Sequence, residues 1–282
     1  MQFAKGHGTG NDFVILPDPD DRLHLTAETV AWICDRHRGI GGDGILRVVR
    51  ADADQGAEWF MDYRNADGSL AEMCGNGVRV FARYLLEAGL ASGPELPIAT
   101  RAGLRIVREE PDGEFTVDMG GASVTGEGAV QLGRERLDGL AISVGNPHLA
   151  CVVDGPVAAF DLAAPRSLSG DEVNVEVVRI TGDHELEMRV HERGSGLTLS
   201  CGTGAVAAAV AAAVTVGDWR AELDRPWRVV VPGGRLTVTP SATVSLLTGP
   251  AEIVATGDLR RSAEPAMATG SPRAAGTGPA GR

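Results

Sequence analysis

One short pattern, Cys-Gly-x-Gly, occurs twice in this chain: Met73-Cys74-Gly75-Asn76-Gly77 and Ser200-Cys201-Gly202-Thr203-Gly204, 127 positions apart. Each copy leads into a stretch with helical patterning, Val78 to Glu87 in the first case and Ala205 to Val216 in the second. A repeat at about half of a 282-residue chain constrains the fold to two similar lobes, each presenting one cysteine to a shared cleft. A thiol at a helix N-terminus meets unpaired N–H groups and the positive end of the helix dipole, which favour thiolate. The glycines let backbone approach a bound group closely, and the free N–H groups there can hold an anion.

The rest of the chain reads as many strands and few helices. Short strands are expected at Phe13 to Leu16, Ile45 to Val49, Glu58 to Tyr63 and Phe115 to Met119. Thr26 is placed to cap a helix running through Asp35. Gly120-Gly121, with Gly126 and Gly128, marks a lobe boundary, and the second half repeats the grammar with strands such as Leu149 to Val153 and Glu185 to His191. Pro232-Gly233-Gly234 between two apolar runs is a hairpin signal. The expectation is a pseudo-symmetric α+β protein. Residues 1–119 form an N-terminal lobe carrying Cys74, and 120–260 a C-terminal lobe carrying Cys201, with the last strand free to return to the first lobe. Residues 261–282, rich in Ala, Gly, Pro, Ser and Arg, read as a disordered tail.

Composition removes several function classes. A formal net charge of −12 with no basic stripe argues against nucleic acid and anionic membrane as partners. No signal-peptide core follows Met1, and the run Ala205 to Val216 is too short for a bilayer of ~30 Å, so a soluble cytoplasmic protein is expected. None of Cys34, Cys74, Cys151 and Cys201 forms a CxxC pair, which leaves no metal or thioredoxin-type motif. Cys34 and Cys151 lie in apolar stretches and read as small buried hydrophobes. Lys5 is the only lysine and sits in a strand, so a pyridoxal-phosphate Schiff base is not expected and no cofactor is implied.

Two thiols facing each other across a cleft suit one chemistry well. A thiolate on one side takes a proton from carbon and a thiol on the other returns one, which inverts the stereocentre without a cofactor. Helix N-termini aimed at the α-carboxylate would stabilise the carbanion where charge develops. Three other readings compete: two structural cysteines, a cysteine hydrolase with His148 as base, and a dithiol–disulfide redox pair.

Further motifs carry a resemblance. They are Lys5-Gly6-His7-Gly8-Thr9-Gly10-Asn11-Asp12-Phe13, Tyr63-Arg64-Asn65-Ala66-Asp67-Gly68-Ser69, Gly145-Asn146-Pro147-His148, Val173-Asn174-Val175-Glu176 and His191-Glu192-Arg193-Gly194, with the two cysteine motifs and Pro232-Gly233-Gly234. In this order they resemble the diaminopimelate epimerases, the actinobacterial branch in particular, from Gln2 to about Leu259. The resemblance implies two lobes that each wrap a mixed sheet around a central helix, a cytoplasmic homodimer, and interconversion of LL- and meso-diaminopimelate for lysine and peptidoglycan. It makes Cys74 and Cys201 the acid/base pair, supported by His148 and Glu192. Asn65, Asn146, Asn174 and Arg193 would grip the distal amino-acid end, Glu192 the reacting ammonium. Asn11 and Asn76 would line the pocket, and Gly75, Gly202 and Thr203 would offer N–H groups to the carboxylate. The chain departs from the pattern at Leu197, where relatives commonly carry glutamate, so a carboxylate near the second thiol is expected to be missing. A sibling amino-acid epimerase or racemase of the same fold, or a non-catalytic diamino-acid-binding protein, is the alternative.

Overall fold

The computed structural model describes residues 1–219 and 225–260; the tail expected from residue 261 onward lies outside them. Two sheets repeat one pattern. The first runs in the order Glu252–Asp258, Gln2–Gly8, Asn11–Pro17, Gly44–Arg50, Trp59–Asn65, Glu95–Thr100, Gly103–Glu109 and Phe115–Asp118. The second runs Ser123–Leu132, Glu135–Ser143, Pro147–Val152, Asn174–Gly182, Glu185–Glu192, Trp227–Val231, Gly234–Thr239 and Leu246–Gly249. In both, only the third and fifth neighbour pairs are parallel. The lobes join where Leu246–Gly249 pairs with Phe115–Asp118. The final strand, Glu252–Asp258, takes in the first sheet the place that Ser123–Leu132 takes in the second.

A parallel pair needs a crossover, and the second crossover in each lobe is its central helix. Helix α1 (Ala27–Cys34), capped by Thr26 as expected, serves the earlier crossover in the first lobe. Helix α2 (Gly75–Glu87) joins Trp59–Asn65 to Glu95–Thr100, and α3 (Gly202–Thr215) joins the strands Glu185–Glu192 and Trp227–Val231. In α3 every residue from Gly204 to Ala213 is buried, and most are alanine. Alanine is the best helix former, and its small side chain lets a sheet close tightly on all sides. Helix α2 buries Val78, Val80, Phe81, Ala82 and Leu85 in the same continuous core.

One expectation needed revision. Both central helices begin at the glycine directly after the cysteine, three residues earlier than the apolar pattern suggests, because the Sγ itself caps them. A strand that the sequence did not suggest follows Gly120-Gly121: Ser123–Leu132 passes through Gly126 and Gly128 and hairpins onto Glu135–Ser143. Most of its first six residues are exposed, so it shows no apolar alternation.

Cys34 and Cys151 are buried, and burial pushes their thiols up from 9.0, to about 11 and about 12. The folded state therefore holds these protons above the pH at which the unfolded chain releases them. Their contribution is complete below about pH 9 and is lost as pH rises through about 11. Thermal melts across this range should show falling Tm, with a shallower slope in Cys34→Ala; an unchanged slope would contradict the assignment.

Candidate active site

The two cysteines end up at matching places for a local reason. Each is extended (φ −139° at Cys74, −127° at Cys201), and its Sγ accepts the N–H of the third residue on, Gly77 or Gly204, at 3.4 Å. The helix N-termini then abut. A Cβ placed on Gly202 would lie 3.3 Å from the Gly75 Cα and 3.0 Å from Leu247 Cδ2, and one on Gly75 would lie 2.8 Å from Met119 Cε. The two glycines thus keep the helix ends close. A cavity of about 550 Å³ opens where they meet, with both cysteines in its wall.

Asn11, Asn65, Gly75, Asn76, Asn146, Asn174, Glu192, Arg193, Gly202 and Thr203, the substrate-binding candidates of the sequence, all line this cavity. Asn11 arrives on a two-residue hairpin turn, Thr9-Gly10, with left-handed φ of 50° and 80°. That turn docks on the other lobe: Thr9 Oγ1 donates to Ser200 Oγ at 2.7 Å, and a Cβ on Gly233 would overlap the Thr9 carbonyl. Asn76 is fully buried and donates to the Ser200 carbonyl at 3.2 Å and to Asn11 Oδ1 at 3.3 Å. Asn11 Oδ1 in turn accepts from the Cys74 thiol at 3.5 Å. Asn174 accepts the Arg193 backbone N–H at 2.9 Å and so holds the Glu192–Gly194 turn in place. The Arg193 guanidinium itself is exposed and has no partner among the described residues.

His148 stands apart from the other candidates. It does not line the cavity but lies buried behind it, with Nε2 3.0 Å from Asn146 Oδ1 and Nδ1 2.7 Å from Glu176 Oε1. It reaches the site through Asn146, whose Nδ2 lies 3.4 Å from Thr203 Oγ1. Glu176 was not among the candidates. The two-residue period of a strand puts it on the same face as Asn174, which is the signal that could have found it. It is fully buried, and its Oε2 has no partner among the described residues. Tyr63 and Ser200, also in the wall, were overlooked likewise.

Helix N-termini do not make these thiols acidic here, contrary to expectation. Burial pushes Cys74 up to about 11 in spite of the Gly77 N–H, and Cys201 well above its usual value, with the Glu192 and Glu176 carboxylates adding to the effect. Removing a thiolate from water costs more than one or two N–H groups return. Glu192 is also raised, by burial first, against hydrogen bonds from Thr198 and Cys201. The carboxylate beside the second thiol is therefore present, as Glu192. Leu197 lies 46% exposed opposite His191, in the wall of an adjoining cavity of about 710 Å³ that Cys201 does not line.

No helix among the described residues is long and apolar enough to cross a membrane. Solved structures with this fold include a PhzF-family phenazine biosynthesis protein from Bacillus anthracis (TM-score 0.65, 17% identity, 91% of this chain and 98% of that one). A hydroxyproline epimerase from Agrobacterium vitis is similar to the same degree (TM-score 0.64, 15% identity, 91% of each chain). At such identities the likeness concerns the fold. Sequence carries more. The diaminopimelate epimerase from Thermobifida fusca is 56% identical over 278 residues, covering 93% of this chain and 99% of that protein. The one from Mycolicibacterium smegmatis is 50% identical over 285 residues, covering 92% and 97%. The family model described as diaminopimelate epimerase matches residues 3–125 and 140–254. On these matches, the chain belongs to the diaminopimelate epimerase family.

Proposed function

We propose that this protein is an isomerase that interconverts LL- and meso-2,6-diaminopimelate by a cofactor-independent two-thiol mechanism. The observation that carries the reading is the meeting of two cysteine-capped helix N-termini at one cavity. With the α-carbon between them, one Sγ, as thiolate, takes the α-proton, and the C–H electron pair moves into the carboxylate as an enediolate. The opposite thiol gives its proton to the other face of the carbon. The site ends with thiol and thiolate exchanged and the stereocentre inverted. Burial helps here, because a desolvated thiolate is a stronger base towards a weak carbon acid.

The first-turn N–H groups of Gly75, Gly202 and Thr203 suit the developing carboxylate charge, which helix dipoles further favour. The Glu192 carboxylate suits the α-ammonium. Arg193, with Asn65, Asn146 and Asn174, suits the distal carboxylate, since a guanidinium fork reads a carboxylate in two hydrogen bonds. His148 acts indirectly, by holding Asn146. The product would feed lysine and the peptidoglycan cross-link. We further take the enzyme to be a cytoplasmic homodimer, with lobes divided near 119/120 and Glu252–Asp258 returning to the first lobe.

Purified protein given LL-diaminopimelate should yield meso-diaminopimelate, read by chiral separation. Activity on another amino acid and none on either diaminopimelate isomer would instead make it a sibling epimerase. No turnover at all, with tight binding, would make it a binding protein. Arg193→Ala should raise KM by about tenfold or more, since losing a charge-assisted partner costs ~1.5–3 kcal/mol. An unchanged KM would remove the distal-carboxylate role.

A further inference from the structure

Arg79 lies in α2, five residues after Cys74, and none of its surface is exposed. Its donors go to neutral acceptors: Nη1 to the Gly75 carbonyl at 3.2 Å, Nη2 to Asn76 Oδ1 at 2.9 Å, and Nε to the Pro250 carbonyl at 3.4 Å. Among the described residues no carboxylate is within ion-pair reach of it. A buried guanidinium without a counter-ion is costly, and structures keep such groups where an anion forms nearby. Burial draws Arg79 down, to about 10 against the opposing influences of Cys74 and, more weakly, Glu114.

The second thiol has no such cation among its described neighbours. Near Cys201 the buried charges are carboxylates: Glu192, within hydrogen-bond reach of the thiol, and Glu176, whose Oε1 would meet a Cβ on Gly204 at 2.7 Å. His148 is paired with Glu176 on the side away from the cavity. The titratable groups felt at Cys74 are Glu192, Arg79 and the buried phenol of Tyr63. A backbone that repeats almost strand for strand therefore sets Cys201 between two carboxylates, while at Cys74 the Glu192 carboxylate is opposed by the Arg79 guanidinium.

We infer that Arg79 is a positioning residue that makes Cys74, and not Cys201, the thiolate of the free enzyme, while its fork fixes the Asn76 amide that ties the two helix N-termini together. The orientation follows from donor and acceptor roles. Arg79 has only donors, so Asn76 must turn Oδ1 to it and Nδ2 to the Ser200 carbonyl and Asn11. The inference rests on the two-thiol reading above, and it assigns which thiol begins as base.

Iodoacetamide labelling followed by peptide mass spectrometry gives the rate at each thiol as a function of pH. The midpoint of each profile reads the thiolate, whatever the accessibility. In the wild type the Cys74 midpoint should lie at least about one pH unit below that of Cys201, a tenfold difference in thiolate fraction. Arg79→Met should raise the Cys74 midpoint by about one unit or more and leave Cys201 in place. Arg79→Lys, which keeps the charge and loses the planar fork, should keep the Cys74 midpoint and lower kcat. A wild-type Cys201 midpoint equal to or below that of Cys74 would overturn the inference, and this holds even if Arg79→Met does not fold. An unchanged Cys74 profile in folded Arg79→Met would do the same. Labelling is independent of turnover, so a protein inert towards diaminopimelate but with these profiles would fail the functional reading alone.

Discussion

Cys74→Ala and Cys201→Ala should each lower epimerisation by about 10³-fold or more, because general acid–base groups contribute 10²–10⁴-fold and a two-base inversion needs both. The fold should survive in both variants. Each sulfur contributes one N-cap interaction at 3.4 Å, and alanine leaves the glycine contact between the helix ends intact. Serine should rescue little, since a hydroxyl titrates far above a thiol and the desolvation that raises Cys74 to about 11 would raise it further. The readout is initial rate from both LL- and meso-diaminopimelate, with melts to certify folding. Near-normal turnover in either alanine variant would leave the thiols structural.

The largest stability effect is expected away from the cavity, at Asp62. This buried carboxylate sits among Arg47 (3.5 Å), Arg64 (3.1 Å) and Arg101. Arg101 also donates to the Tyr63 carbonyl at 2.9 Å and the Ala71 carbonyl at 3.3 Å, on the approach to Cys74. Asp62→Ala strands guanidinium charge in the protein interior, which typically costs about 3–5 kcal/mol. Burial by itself would raise Asp62, yet hydrogen bonds from Arg101 and Arg64 hold it below its usual 3.8. A lowered carboxylate stabilises the fold above its unfolded pKa and loses that contribution as pH falls through the folded one. The wild type should therefore lose stability below about pH 4, and Asp62→Asn should lose less there. Urea unfolding at pH 7 and pH 3 separates the two; equal losses in wild type and Asp62→Asn would contradict the network's role.

Much of this architecture is legible from local chemistry. The Thr26 cap, the Pro232-Gly233-Gly234 hairpin and the two cysteine-headed helices depend on neighbours in sequence, so the sequence displays them. The strand at Ser123–Leu132 does not, because its pairing is supplied by Glu135–Ser143 and most of its residues before Ala129 face solvent. The same division runs through the site. Short motifs identify residues that point into the cavity, but not what stands behind them. Glu176 and Arg79 sit inside quoted or adjoining motifs, yet their meaning depends on burial and on the absence or presence of a countercharge among described residues. The protonation of the thiols is likewise a matter of depth. A helix N-terminus in water favours thiolate, and the same N-terminus inside a closed cleft does not overcome desolvation.

Transfer of solvent hydrogen to the α-carbon tests the two-thiol account most directly. LL-diaminopimelate is incubated with the enzyme in deuterium oxide, and the first few per cent of reaction is analysed isomer by isomer. Two thiols on opposite faces predict deuterium at the inverted carbon of the meso product, while remaining LL substrate stays unlabelled, because the proton removed by one sulfur is not the one delivered by the other. Deuterium appearing in recovered LL substrate as fast as in product, or protium carried over from substrate to product, would show a single base working on both faces and contradict the account.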